Sequence, residues 1–194
     1  MSLIAQFEEK WQALAGQSWV VSHPDQAAAA IHTACQVLSG QDQPVIFSGP
    51  DSSNISQVSL APWLNSEISL HDAQPDTDST ASLVQRIHQA DVGITGCAWA
   101  CAETGSVALY ATPQSNTLLS IIPPAHLILI HRRQLLPTLS DGFSQLRRHL
   151  MQNNGQPPLV RLISGPSRTA DIEGTLVVGV HGPGSVGAVI LDWD

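Results

Sequence analysis

Leu127-Ile128-Leu129-Ile130 is an unbroken apolar run, with Ala125-His126 ahead of it and His131-Arg132-Arg133 behind. A strand with one wet face alternates apolar and polar residues. A run with no polar position therefore predicts a strand covered on both faces, as in the parallel sheet of an α/β fold. Further, mostly apolar runs recur on either side of it, at Trp19–Val21, Val45–Phe47, Val92–Thr95, Val107–Tyr110, Leu159–Ile163, Leu176–Val178 and Val186–Leu191.

Helical patterns fall between these runs. Leu3, Ile4, Phe7, Trp11 and Leu14 share one face of a helix that Gly16 ends. Asp25 is expected to cap an Ala-rich helix from Gln26 to Leu38, stopped by Gly40. Asp78 or Ser79 is expected to cap a helix through Leu83, Val84 and Ile87, and Ser140 one that carries Phe143, Leu146 and Leu150. Strands alternating with helices predict an α/β domain with a mostly parallel sheet and helices on both faces. Residues 1–194 are expected to form one domain, with the helix at Leu3–Gly16 either built into it or appended. The stretch 49–76 predicts no more than one or two short strands or turns.

Of 194 residues, 43% are hydrophobic and 12% charged, with a net charge of −8 and Lys10 as the single lysine. Nucleic-acid binding needs clustered Lys and Arg to neutralise phosphates. Only Arg132–Arg133 and Arg147–Arg148 cluster, so that partner class is excluded. No apolar run approaches the roughly 20 residues of a membrane span, and Met1–Lys10 has no signal-peptide pattern. A cytoplasmic location is the expectation. Cys35, Cys97 and Cys101 are an odd set at the wrong spacing for the four ligands of a zinc or iron–sulfur site. Cys97 and Cys101 would share a face if helical, yet read better as small core residues. Neither a Walker loop nor a dinucleotide fingerprint is present, so no metal and no cofactor are expected.

The densest run of hydrogen-bonding and ionisable groups is Ser164-Gly165-Pro166-Ser167-Arg168-Thr169-Ala170-Asp171-Ile172-Glu173, followed by Gly179-Val180-His181-Gly182-Pro183. Gly165 permits an unusual backbone angle, the hydroxyls donate, and the forked guanidinium of Arg168 suits a carboxylate or phosphate. The same residues also fit a strand-to-helix turn capped by Ser167 or Thr169, with Arg168 paired to Asp171. His181 is either a proton carrier or a simple turn histidine, and Gly182 brings backbone close to a ligand or only makes a turn. In Glu103-Thr104-Gly105-Ser106, Glu103 is either a general base flanked by hydroxyls or a capping carboxylate. Both segments end strands, so they are expected to meet in one pocket beyond the carboxyl ends of the sheet.

Asp91-Val-Gly-Ile-Thr95, Ala102-Glu-Thr-Gly-Ser106, Pro123-Pro-Ala-His126 and the Ser164–Pro183 tail occur in an order that resembles the lactate-utilization protein C family, also called the LUD-domain family. The resemblance covers about residues 77–192. It implies a three-layer α/β fold like that of the glucosamine-6-phosphate deaminase, ribose-5-phosphate isomerase and CoA-transferase superfamily. It also implies an accessory, non-redox role in bacterial L-lactate oxidation to pyruvate, beside partner proteins that carry iron–sulfur clusters. It supplies no catalytic residue. On this reading Glu103, Thr104, Ser167, Arg168, Asp171 and His181 would bind a small anion or a partner. The alternative is a stand-alone enzyme on the same fold, acting on a phosphosugar, acyl-CoA or folate-like substrate with Glu103 as base.

Overall fold

The computed structural model describes residues 1–48, 54–55, 58–59, 70–72, 80–111, 117–152, 159–170 and 176–193. Helix α1 (Leu3–Ala13) leads to strand β1 (Gln17–Val21), and α2 (Ala27–Ser39) to β2 (Ile46–Ser48). The short β3 (Asn54–Ile55), β4 (Val58–Ser59) and β5 (Leu70–Asp72) follow, then α3 (Thr80–Ile87), β6 (Val92–Thr95), β7 (Trp99–Cys101) and β8 (Ser106–Ala111). Next come β9 (Ala125–His131), β10 (Leu135–Leu136), α4 (Leu139–Gln152) and β11 (Leu159–Ile163). The last are β12 (Arg168–Ala170), β13 (Leu176–Val178) and β14 (Ser185–Leu191).

Six strands form a parallel sheet in the order β1-β14-β9-β6-β2-β5. The apolar run that predicted it is β9, which lies between β14 and β6 with every residue from Ala125 to His131 buried. Successive side chains of a strand point to opposite faces. Accordingly Leu127 and Leu129 pack with Ile31, Cys35 and Leu38 of α2, while Ile128 and Ile130 pack with Phe7 and Trp11 of α1. The fold is α/β, with a parallel central sheet flanked by helices.

Helices flank both faces, as expected, and one face carries a further layer. Beyond the α1 face lies a second sheet, β10-β7-β8-β11, which contributes Ala100, Val107, Leu109 and Leu135 to the same core. Helix α4 packs on the far side of that sheet. There Gly142 lies so close to the Trp99 ring that a Cβ would fall 2.7 Å from it. Trp99 and Cys101 are both in or beside this inner layer as part of β7, so the Cys97–Cys101 spacing is not helical.

Helix α1 is fully seated. Phe7 and Trp11 stack at 5.6 Å, both are buried, and the Trp11 indole donates to the Gln17 carbonyl at 2.8 Å. Two caps differ from expectation. Asp25 makes no cap, because the chain enters α2 through a short helical turn at Pro24–Gln26 with no side-chain cap bond. Helix α4 is capped by Thr138, not Ser140. Thr138 Oγ1 accepts from the Asp141 amide at 3.2 Å, and Asp141 Oδ2 accepts from the Thr138 amide at 3.1 Å, a reciprocal box. The predicted caps Asp78 and Ser79 lie outside the described residues, as does most of 49–76. No described helix is long and apolar enough to cross a membrane.

Candidate functional site

The Ser164–Ser167 turn joins β11 to β12. Gly165 holds φ 84°, and a Cβ there would stand 2.3 Å from the Leu14 carbonyl oxygen. Only glycine fits such a left-handed backbone pressed against the end of α1. The turn runs into a strand, so Ser167 and Thr169 are not helix caps. Ser167 instead knits two loops together: its amide donates to the Pro183 carbonyl and its carbonyl accepts from the Gly179 amide, each at 2.9 Å. Gly182 passes alongside, where a Cβ would lie 3.3 Å from Ser167 Cβ.

These loops wall a cleft of about 440 Å³ that Ser164, Gly165, Ser167, His181 and Gly182 line together with His126, Ser120 and Arg161. Five of the predicted site residues thus converge. The cleft lies at the amino ends of β9 and β14, just ahead of Ala125 and Ser185, rather than at the carboxyl ends where a site was expected. Loops before β14 and after β11 supply its walls, and the second sheet brings β11 to that end.

Two residues that sequence reasoning passed over give the cleft its chemistry. His126, the second residue of β9, is fully buried at the floor, and its Nε2 meets Thr95 Oγ1 at 2.8 Å. Its Nδ1 is buried and has no hydrogen-bond partner among the described residues. Burial, and then the positive charge of Arg161, push its pKa down to about 3, so the ring is neutral at pH 7. Arg161, the one charge in Leu159-Val-Arg-Leu-Ile163, donates through Nη1 to the Thr117 carbonyl at 3.1 Å and to Ser120 Oγ at 2.7 Å. Among the described residues it has no carboxylate partner. The signals were a lone guanidinium inside an apolar strand, and a histidine closing the Pro123–His126 motif.

The remaining predicted residues stand elsewhere. Glu103 does not line the cleft. Its Oε2 accepts from the Leu139 amide at 3.0 Å, at the first turn of α4, where a carboxylate satisfies a free N–H and complements the helix dipole. Thr104 follows it, with a buried Oγ1 that has no partner among the described residues. Gly105 turns with φ 63° against the backbone of Lys10 and Trp11. Arg168 is exposed and donates to the Leu14 carbonyl, leaving Thr169 in β12 beyond the cleft. Asp171 lies outside the described residues, and so does any pairing between it and Arg168. Neither Glu103 nor Arg168 lines this cleft. What does link the two segments is Ser106, whose Oγ lies 2.8 Å from Ser164 Oγ. Among the described residues, no group of three His, Cys, Asp or Glu side chains is arranged to hold a metal ion.

Comparison with known proteins agrees with this layout. The chain is 31% identical over 117 residues to lactate utilization protein C of Bacillus velezensis, covering 60% of this chain and 48% of that one. To lactate utilization protein C of Shouchella clausii it is 34% identical over 179 residues, covering 84% and 75%. The chain spans about half the length of the first of these relatives. A crystal structure of a DUF162 family protein from Deinococcus radiodurans superposes with a TM-score of 0.68 at 21% identity, over 97% of this chain and 96% of that one. The model of the LUD domain matches residues 4–191, and the chain belongs to the LUD domain family.

Proposed function

We propose that this chain is a non-redox component of a bacterial lactate-utilization system, and that its cleft binds a small anion. The role is supported by family membership and by the names of relatives such as those of Bacillus velezensis and Shouchella clausii. The anion is supported by one observation above all. Arg161 lines the cleft as a cation held by neutral acceptors and countered by no carboxylate among the described residues. A partly desolvated guanidinium with no counter-charge attracts an anion, because it is less screened than a fully exposed one. In this reading, electrons from lactate pass through iron–sulfur partner proteins, while this chain holds an anion of the pathway for them.

A deletion strain tests the role. Without the gene, growth on L-lactate as sole carbon source should fail while growth on glucose continues. The wild-type gene should restore it, and Arg161→Gln, at equal soluble abundance, should not. Normal growth of the deletion strain on lactate rejects the role, and full rescue by Arg161→Gln rejects the anion site.

A further inference from the structure

The cleft carries enough chemistry to specify the class of anion, an inference that rests on the anion-site reading above. A guanidinium has five N–H donors. Both protein contacts of Arg161 are made by Nη1, so the edge formed by Nε and Nη2 is left for a carboxylate to meet side-on with two parallel bonds. The second group is His126. With Nε2 committed to Thr95, its unpartnered atom is Nδ1, nine-tenths or more buried on a ring that lines the same cleft. A buried nitrogen without a partner is destabilising, and a ligand oxygen would supply the missing bond.

From these two groups we infer that the cleft binds a short monocarboxylate bearing a hydroxyl or carbonyl oxygen on the adjacent carbon, with the carboxylate on Arg161 and the second oxygen on Nδ1 of His126. The ring reads either oxygen. If Nε2–H donates to Thr95, Nδ1 accepts from a hydroxyl; if the Thr95 hydroxyl donates to Nε2, Nδ1–H donates to a carbonyl. The imidazole offers no charge to a second anionic group, because burial and Arg161 keep it neutral. A dicarboxylate or a phosphate dianion would therefore bring a negative charge that this floor does not match. Ser164 and Ser167 supply neutral hydroxyls at the wall. The ring is fully buried beneath the floor, so contact requires the side chains above it to move aside. The volume of about 440 Å³ leaves room for water around so small a ligand.

Isothermal titration of the purified chain against L-lactate, pyruvate, propionate, malonate and inorganic phosphate tests the assignment. L-Lactate or pyruvate should bind at least fivefold more tightly than propionate, which lacks the second oxygen, and at least tenfold more tightly than malonate or phosphate. Arg161→Lys should weaken all carboxylates tenfold or more, since it keeps the charge and loses the fork. His126→Gln should erase the preference over propionate; should that variant not fold, Thr95→Val, which frees the ring, should reduce the preference. Equal affinity for lactate, pyruvate and propionate overturns the ligand class and leaves the anion site standing. Tightest binding by phosphate or malonate also overturns the class. No binding of any of the five anions overturns the class and the anion site together.

Discussion

Ser106 Oγ and Ser164 Oγ stand 2.8 Å apart, joining the start of β8 to the turn that borders the cleft. Ser106 is buried and Ser164 faces outward, so the contact fastens a surface turn to the inner sheet. Removing one partner strands the other inside, and Ser164→Ala should cost about 1 kcal/mol of stability. Urea denaturation of Ser106→Ala, Ser164→Ala and the double variant measures it. Strict additivity of the two single effects would show that the hydroxyls are not coupled.

Glu103→Gln separates capping from catalysis. Because Glu103 Oε2 accepts from the Leu139 amide at the head of α4, the amide side chain keeps an acceptor and loses the charge–dipole term. Stability should fall by about 0.3–1 kcal/mol, with growth on lactate and anion binding unchanged. A large loss of growth at undiminished stability would return Glu103 to the role of a general base.

Gly165→Ala should be severe. The substitution meets both a φ of 84° and a Cβ position 2.3 Å from the Leu14 carbonyl, so either the turn or the end of α1 must move. A loss of about 2 kcal/mol or more is expected, together with weakened anion binding, read by thermal melting and calorimetry. Gly40→Ala is the control. It has a similar φ of 69° but nothing within 4 Å of the added carbon, so it should cost only about 1 kcal/mol.

His126 should make the fold acid-sensitive. Its pKa is pushed down to about 3 in the folded chain, against about 6.5 when unfolded. Below pH 6.5 the unfolded chain takes up a proton that the folded chain refuses, so this contribution to stability is complete above 6.5 and is lost as pH falls toward 3. The slope between those limits is about 1.4 kcal/mol per pH unit from this one group. Urea midpoints from pH 7 to 5 should fall in the wild type and fall less in His126→Gln. A ring that titrates near 6.5 by NMR would refute the buried neutral imidazole.

Much of the frame is readable because it depends on neighbours close in sequence. The two-faced cover of Leu127–Ile130 follows from its lack of polar positions, and Gly40 ends α2 in the left-handed conformation that glycine favours. Gly165 and Ser167 were legible as a special turn for the same reason. The cap of α4 was misassigned because Ser140 is an equally good residue type, and only the pairing of Thr138 with Asp141 distinguishes them. Arg161 and His126 were not legible as a pair. Each is a polar residue in an otherwise apolar stretch of strand, 35 positions apart and in different sheets, and only the tertiary fold places both on one cleft. The sequence left Glu103 open between general base and capping carboxylate, because the amide it accepts from, that of Leu139, lies 36 residues away.

The pairing of β1 with β14 has a consequence for the chain as it is made. Gln17 is in register with Gly187, so the first strand finds its partner only after roughly 170 more residues have left the ribosome. At roughly 5–20 residues per second, that is a wait of about 10–30 s. Throughout it, Phe7 and Trp11 have no β14 to cover them, since Val186, Ala188 and Ile190 of their cluster are not yet made. The amino-terminal helix and strand are therefore the segment most exposed to chaperones and to aggregation during synthesis. Because the end of α1 also braces the Gly165 turn, the cleft is among the last parts of the protein to take shape.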